Sequence, residues 1–515
     1  MTMIKSLILG SAAGLIAFGG AQAADLPVKV KAVEYVKICS LYGAGFYYIP
    51  GTDTCIKIGG QLRLDTTFNG ATYDTPYIVS GSAGSNGTFN KDYIQTRARI
   101  GLNMDTRTAT EYGVLRTYMD TKFQWTQNGD SIAGGFAETD YAFIQFAGFT
   151  IGKAVSQFDP QWALTKPTIS SGMFFGSNDA TGITQLAYTA SFGNGVSGTI
   201  SLENAFAYRQ AGLYNTAGFI QAPGAVGAFT GTGLTTNYGS TSNSFLGNAV
   251  GGNHLPDVVG NLRLDQAWGT LHFAAAMHQA SPGYYTPSTL GHPDDSYGFA
   301  VSGAIELKNL PTGVGDSFKL EASYGKGATK YTFGGTVDTQ SGGRYANYNN
   351  GAGTLAFGYA LDGVFGTGGQ IIQANSWEVS AFFEHYWTPQ WRTSVFGNYN
   401  HVGYGAAGDA LLFAAFGAGG RLGASVPAAP GGATAGVLAA TGTFDFNIAQ
   451  VGTRTAWTPV KDLTFSAEFS YSRLDQNLVG TYTSAAAIGL NPAGKAYTLT
   501  DQNVYSGSVQ ALRSF

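Results

Sequence analysis

The sequence is poor in charged residues. Lys, Arg, Asp and Glu make up 12% of its 515 residues, about half of the ~25% that is usual for soluble domains. A soluble enzyme of this length would need more charge to cover its surface. The formal net charge is −4, without any long run of Lys or Arg, which argues against a nucleic-acid partner. Disorder is also excluded, because 44% of the residues are hydrophobic and 13% are aromatic.

Motifs for catalysis or cofactor binding are missing as well. The sequence contains no G-x-S-x-G elbow, no H-E-x-x-H pair and no Walker A loop. His272 and His278 share one face of a predicted strand, and we interpret them as polar side chains of that face. We therefore expect no enzyme activity, no metal site and no cofactor.

Long apolar runs are confined to the N-terminus. Residues 1–23 have the pattern of a secretory signal peptide, with Lys5, an apolar run and a small-residue cleavage site that ends at Ala23. The run is too short and too rich in glycine for a membrane anchor. Farther along, the best candidate for a transmembrane helix, residues 422–444, contains two prolines and many glycines. We predict an exported chain that starts at residue 24.

Cysteine is scarce, and Cys39 and Cys55 are the only two. Exported proteins reach an oxidising compartment, so one disulfide between them is the first alternative and two free thiols are the second. A disulfide would close a short loop and add about 3 kcal/mol to the free energy of unfolding by chain entropy.

Period-two alternation of apolar and polar residues fills the rest of the chain. Residues 463–473 place apolar side chains at odd positions and polar ones at even positions, and residues 94–104 and 377–387 repeat the pattern. Many segments reach ten residues or more, which suits a tilted strand crossing a bilayer better than the ~5–6 residues of a sandwich strand. Short turns alternate with long loops, as in outer-membrane barrels.

These segments predict an all-β fold, a transmembrane antiparallel β-barrel of about sixteen strands. An even strand number places both termini on the periplasmic side, with short turns there and long loops outside the cell. A barrel of this size encloses an aqueous channel. We assign residues 24–54 to a periplasmic segment and 55–515 to the barrel. The predicted strands are 55–68, 90–106, 111–126, 136–147, 149–156, 182–192, 196–208, 258–267, 270–281, 296–307, 316–331, 375–387, 391–404, 443–457, 462–475 and 502–515.

Aromatic residues mark the predicted rims. Four tryptophans flank the short turns, as an aromatic girdle would; they are Trp268, Trp387, Trp391 and Trp457. Phe515 closes an alternating strand and looks like the signal that outer-membrane barrels present to their assembly machinery. Arg513 falls on the lipid-facing register, where it is tolerable only if its side chain snorkels to the periplasmic rim.

Four segments carry a family resemblance. Residues 39–60 (CSLYGAGFYYIPGTDTCIKIGG) resemble the opening of the alphaproteobacterial general porins, and so do residues 143–152, 256–268 and 387–391. The resemblance implies a sixteen-stranded homotrimer in the outer membrane that passes small hydrophilic solutes, with one loop folded into the lumen. The partners expected of this class are the lipid bilayer, lipopolysaccharide and the barrel-assembly machinery.

By the same analogy, the constriction loop is the connection after the fifth strand, near residues 157–181. It contains Asp159, Lys166 and Asp179. The inward registers of the first three strands hold a basic ladder, Arg63, Arg97, Arg99 and Arg116. In one interpretation the ladder faces the loop carboxylates across the eyelet and sets a transverse field. In the other, Asp65, Asp105 and Asp120 on the same face neutralise the arginines as ion pairs.

A general diffusion porin is the function that we predict. One alternative is a substrate-selective channel, for example for sugars, with lumen aromatics such as Phe382, Tyr386 and Phe396. Another is an adhesin or phage receptor that uses long loops such as residues 210–256, which contain no Lys, Arg, Asp or Glu.

Overall fold

A computed structural model describes residues 37–70, 78, 92–127, 135–169, 176, 181–204, 211–216, 249–252, 254–285, 291–334, 344–349, 351–416, 436–484 and 494–515. The predicted signal peptide, residues 24–36, Asp179 and most of the uncharged 210–256 segment lie outside these residues. No helix in the described part of the chain is long and apolar enough to cross a membrane.

Sixteen antiparallel strands close into a barrel, as the alternation predicts. Each strand pairs with the next along the chain, and the last pairs with the first, from Gln61 opposite Ser514 to Phe68 opposite Gly507. The strands are β1 (Cys55–Phe68), β2 (Ile94–Thr110), β3 (Gly113–Thr126), β4 (Phe136–Phe146), β5 (Phe149–Ala154), β6 (Ile183–Gly193), β7 (Val196–Glu203), β8 (Asp257–Gln266), β9 (Gly269–Pro282), β10 (Ser296–Lys308), β11 (Ser317–Lys326), β12 (Asn375–Tyr386), β13 (Trp391–Gly403), β14 (Phe446–Val460), β15 (Leu463–Gln476) and β16 (Gln502–Ser514).

Strand ends differ from the prediction by a few residues. The largest differences are of five residues, in β7, which ends at Glu203 rather than at 208, and in β11, which ends at Lys326 rather than at 331 because Thr329–Tyr331 form a 3₁₀ turn. All three residues of that turn are buried. The alternation sorts side chains as expected, with Phe465 and Phe469 exposed on the outer surface and Ser466 and Glu468 buried on the inner one.

Tight turns join the strands at the periplasmic rim. Asn194 and Gly195, between β6 and β7, both have positive φ, at 51° and 79°, the conformation of a type I′ hairpin turn. A Cβ on Gly195 would lie 2.0 Å from the carbonyl oxygen of Asp265, so only glycine fits. Arg513 lies at this rim, where Nη1 donates to the carbonyl oxygen of Lys461 at 3.0 Å.

The long connections at the opposite rim build a folded cap. A five-stranded sheet contains Arg344–Asn349, Thr354–Tyr359, Gly436–Thr441, Val479–Ser484 and Ala496–Leu499, and a three-stranded sheet contains Gly212–Asn215, Leu361–Phe365 and Ile372–Gln373. Helix α1 (Gly405–Phe416) packs against the three-stranded sheet. The strand Gly212–Asn215 belongs to the uncharged segment and is entirely buried, so this part of the segment packs inside the cap.

A disulfide joins Cys39 to Cys55, which confirms the first of the two alternatives for these cysteines. It fastens the preceding segment to the start of β1, where Tyr47–Tyr48 pair with Cys55 and Ile56. Phe46 packs beneath the guanidinium of Arg107 on β2, 4.9 Å from its ring centroid. The segment therefore sits against the inner wall at the end of the barrel where β1 begins.

Candidate channel constriction

The connection between β5 and β6 turns into the barrel instead of leaving it. Glu203 on β7 holds its start, because Ser156 Oγ donates to one carboxylate oxygen at 2.7 Å and the Gln157 amide donates to the other at 2.8 Å. Asn261 on β8 donates to the carbonyl oxygen of Gln157 at 2.7 Å. Two neighbouring strands thus bend the chain inward.

The middle of this constriction loop lies against the wall of β11 to β13. A short 3₁₀ turn, Gln161–Thr165, buries Trp162, whose ring lies 5.9 Å from that of Phe382 in a cluster with Phe396. Lys319 Nζ donates to the carbonyl oxygen of Thr165 at 2.7 Å.

The loop continues past β13 and β15 to β1. Ser394 Oγ donates to the carbonyl oxygen of Pro167 at 2.6 Å, and the amide of Ile169 donates to the carboxylate of Glu468. Arg63 Nη2 then donates to the carbonyl oxygen of Ile169 at 3.0 Å. The loop therefore follows the inner wall from β7 round to β1 and narrows the lumen from that side.

Two of the three aromatic residues considered for sugar stacking are not available to a solute. Phe382 and Phe396 are 1% and 2% exposed because Trp162 covers them, so the expectation that they line the open lumen is wrong. Tyr386 is half-buried, and its ring lies 5.8 Å from the guanidinium of Arg392. Alternation identifies an inward side chain but not a loop that covers it.

Of the charged loop residues, Asp159 lies against the wall of β11. Asp159 is buried. Its Oδ1 and the Oε1 of Glu321 on β11 both lie beside Gly176, since a Cβ added to that glycine would be 3.0 Å from the first oxygen and 3.2 Å from the second. Lys166 is half-buried. Asp159 thus belongs to the β11 wall and does not face the arginines directly.

The basic ladder is assembled as the registers predict, and it is paired. Asp65 accepts from Arg63 at 2.7 Å and from Arg97 at 2.9 Å. Asp105 binds Arg116 at 2.9 Å, and Arg99 Nε donates to Gln124 at 2.7 Å. The arginines thus share one wall, and two of the named aspartates, Asp65 and Asp105, pair with them as the second interpretation expects.

Arg107 is the ladder member that the sequence prediction missed. It binds Asp105 at 2.9 Å, so one carboxylate holds two guanidinium groups. The sequence could have shown that Arg107 points inward, since it follows Arg97, Arg99 and Asp105 on the same odd-numbered register. The ladder therefore carries more positive charge than its two aspartates compensate.

The predicted rim residues occupy the periplasmic rim. The Trp391 and Trp457 rings stack at 5.6 Å between centroids, Trp387 Nε1 donates to Thr393 at 3.0 Å, and Trp268 lies between β8 and β9. Phe515 exchanges two backbone hydrogen bonds with Gly60, each 3.0 Å long, and extends the seam between β16 and β1.

A closed sixteen-stranded barrel with an internal loop and a polar inner wall restricts the choice of family. The family model described as "Porin subfamily" matches residues 25–508. The chain belongs to this porin family. Membership and fold together make this porin a multi-pass β-barrel of the outer membrane.

Curated relatives support the same assignment over part of the chain. This porin is 35% identical to porin Omp2b of Brucella canis over 209 residues, which are 39% of this chain and 54% of that protein. It is 36% identical to porin Omp2a of Brucella ovis over 219 residues, 39% of this chain and 59% of that protein. The chain thus matches little more than half the length of these relatives.

Among solved structures, the outer membrane channel DcaP of Acinetobacter baumannii is similar, with a TM-score of 0.53 and 14% identity. The similarity covers 91% of this chain and 99% of that one. At this identity it supports the fold alone.

Proposed function

We propose that this porin forms a passive, water-filled channel for small hydrophilic solutes and ions. One observation carries the proposal: a closed sixteen-stranded barrel whose polar inner wall is narrowed by the constriction loop. A barrel of this size has a lumen too wide for strand side chains to fill. The constriction loop, held against the wall from β7 round to β1, narrows that lumen without a conformational change.

The ladder gives the constriction its charge. Arg63, Arg99, Arg107 and Arg116 are half-buried, and their two carboxylate partners leave an excess of positive charge on one wall. Such a wall orients dipolar solutes and disfavours apolar ones, which lose hydration without compensation. The channel has no enzymatic role in this proposal.

The proposed assembly is a homotrimer in the outer membrane. Lipid and lipopolysaccharide would contact the outer apolar surface and the upper rim, and the barrel-assembly machinery would recognise the strand that ends at Phe515. The girdle tryptophans Trp268, Trp387, Trp391 and Trp457 would anchor the lower rim at the membrane interface.

Swelling of proteoliposomes in sugars of graded size tests the proposal. We expect rapid swelling in small sugars, a rate that falls smoothly with solute size, and no saturation with concentration. Protein-free liposomes and liposomes with heat-denatured protein are the controls. An impermeable membrane, despite folded protein, would overturn the proposal, and saturation by one class of sugar would favour the substrate-selective alternative.

A further inference from the structure

The folded cap is packed inside the mouth of the barrel. Near the outer rim the inward register of β14 to β16 changes from polar to apolar. Inward residues of these strands share one buried core with residues of the cap; they are Phe446, Ile448, Leu474 and Val504 on the strands and Tyr345, Leu355, Tyr482 and Tyr497 in the cap. Apolar packing thus holds the cap on this side of the mouth.

On the side of β8 and β9 a buried polar cluster holds the cap instead. The His278 ring on β9 lies between two carboxylates. Its Nδ1 is 2.7 Å from Asp257 on β8, and its Nε2 is 3.4 Å from Asp362 in the cap strand Leu361–Phe365. The three side chains are each exposed by 1% or less. The histidine therefore joins the wall of the barrel to the cap.

The other ionisable groups at this site come from the elements that pack around it. Lys330, in the 3₁₀ turn after β11, lies 3.4 Å from the Asp257 carboxylate, and the Tyr331 hydroxyl donates to that carboxylate at 2.6 Å. Glu203 on β7 lies opposite Asp257 in the strand register, and Asp159 of the constriction loop lies near Tyr331. In this part of the described chain the acidic side chains outnumber the cations.

The protonation state of His278 decides how many carboxylates it can hold. A protonated imidazole donates from both ring nitrogens, whereas a neutral ring donates from one and accepts at the other. A neutral ring that keeps the shorter bond, to Asp257, has no proton left for Asp362. That carboxylate retains its hydrogen bond from the Thr329 amide, at 2.8 Å, but loses its buried counter-ion. Removing one partner of a buried ion pair is costly, so the cap strand is held less firmly.

We propose that His278 is a pH-sensitive latch, which holds the cap to the wall when it is protonated and releases the cap when it loses its proton. Histidine suits this role because it changes its charge near neutral pH. The latch itself does not depend on what crosses the barrel, whereas its effect on the current rests on the proposed function. A released cap can move within the mouth, so we expect interruptions of the current at alkaline pH.

Limited proteolysis of the folded protein by proteinase K tests the latch without any need for conductance. His278→Gln removes the ionisable group. Its rate of cleavage within the cap is divided by that of the unsubstituted protein at the same pH, so that the pH dependence of the protease cancels. The ratio should be about tenfold or more at about pH 5, since a hydrogen bond to a charged group is lost. It should fall toward one as the pH rises through the range in which histidine loses its proton.

His385→Gln is the matched control. This histidine also contacts a carboxylate, with Nδ1 2.7 Å from Asp316, but at the periplasmic rim. Its cleavage ratio should stay near one at every pH. Folding of each variant is checked by its resistance to SDS before heating. If His278→Gln yields no folded barrel, Asp362→Asn removes the other member of the pair and should give the same fall of the ratio with pH.

Single-channel recording gives a second readout. The unsubstituted channel should show about tenfold more interruptions at alkaline than at acidic pH, the change expected when one charged hydrogen bond is lost. The His278→Gln channel should show equal numbers at both.

The possible failures can be told apart. A cleavage ratio for His278→Gln that is the same at every pH would overturn the latch, because it would show a structural role alone. Equal numbers of interruptions in the two channels at every pH would also overturn it. Both results would leave the proposed function standing. Folded protein that shows the expected cleavage ratios, but no conductance at any pH, would overturn the proposed function and leave the latch standing.

Discussion

At the residue scale, Asp105 controls how much positive charge the ladder presents. Its carboxylate binds Arg107 and Arg116, both at 2.9 Å, and both guanidinium groups are half-buried. We predict that Asp105→Asn leaves two cations uncompensated and shifts the reversal potential in a KCl gradient toward anion selectivity.

The control for this prediction is Asp462→Asn at the periplasmic turn, where the carboxylate lies 3.8 Å from Arg513 outside the lumen. It removes the same charge and should leave the potential as it is in the unsubstituted protein. Equal shifts in both variants would show that the ladder does not set the selectivity.

Gly60 lies at the seam between β16 and β1 that closes the barrel, and this position has no room for a side chain. A Cβ there would lie 2.4 Å from the carbonyl oxygen of Gly101 and 2.7 Å from the Phe515 ring. We predict that Gly60→Ala costs about 1–3 kcal/mol, as overpacking does, and reduces the yield of folded barrel. Gly260→Ala is the control, because the nearest atom to its Cβ would be 3.8 Å away. Equal yields of heat-modifiable protein from both variants would contradict the prediction.

At the scale of elements, Trp162 holds the constriction loop on the wall. It is 4% exposed and packs with Phe382 and Phe396, so Trp162→Ala should cost about 3–5 kcal/mol of local stability. We predict noisier single-channel currents and faster cleavage by proteinase K within the loop in the folded protein. Leu164→Ala, on the same loop with 44% of the residue exposed, should change neither. A quiet, protease-resistant Trp162→Ala channel would show that the loop is held by its polar contacts alone.

The barrel strands could be predicted from the sequence because each one separates an apolar lipid face from a polar inner face. The cap could not be predicted, because its strands are short and pair across long sequence distances, as Leu355 does with Leu499. The apolar inward residues Ile448 and Leu474 were the available signal, since polar side chains are expected in an open lumen. The ladder followed from register, whereas the burial of Phe382 depended on a loop whose path no periodicity encodes.

At the scale of the whole molecule, an apolar outer surface, a polar inner wall and a fixed internal loop make one arrangement, which in the proposed function conducts without a conformational change. The low charge content of the sequence follows from this arrangement, because the lipid-facing register is nearly free of charge. The charges that remain are concentrated on the inner wall and in the turns.

Single-channel recording of the purified, folded protein in planar lipid bilayers tests this account most directly. We predict discrete current steps that are proportional to voltage and to salt concentration, as expected of a permanently open aqueous pore. Heat-denatured protein is the control and should give no steps. Folded protein that inserts into the bilayer and yet conducts no ions would contradict the account.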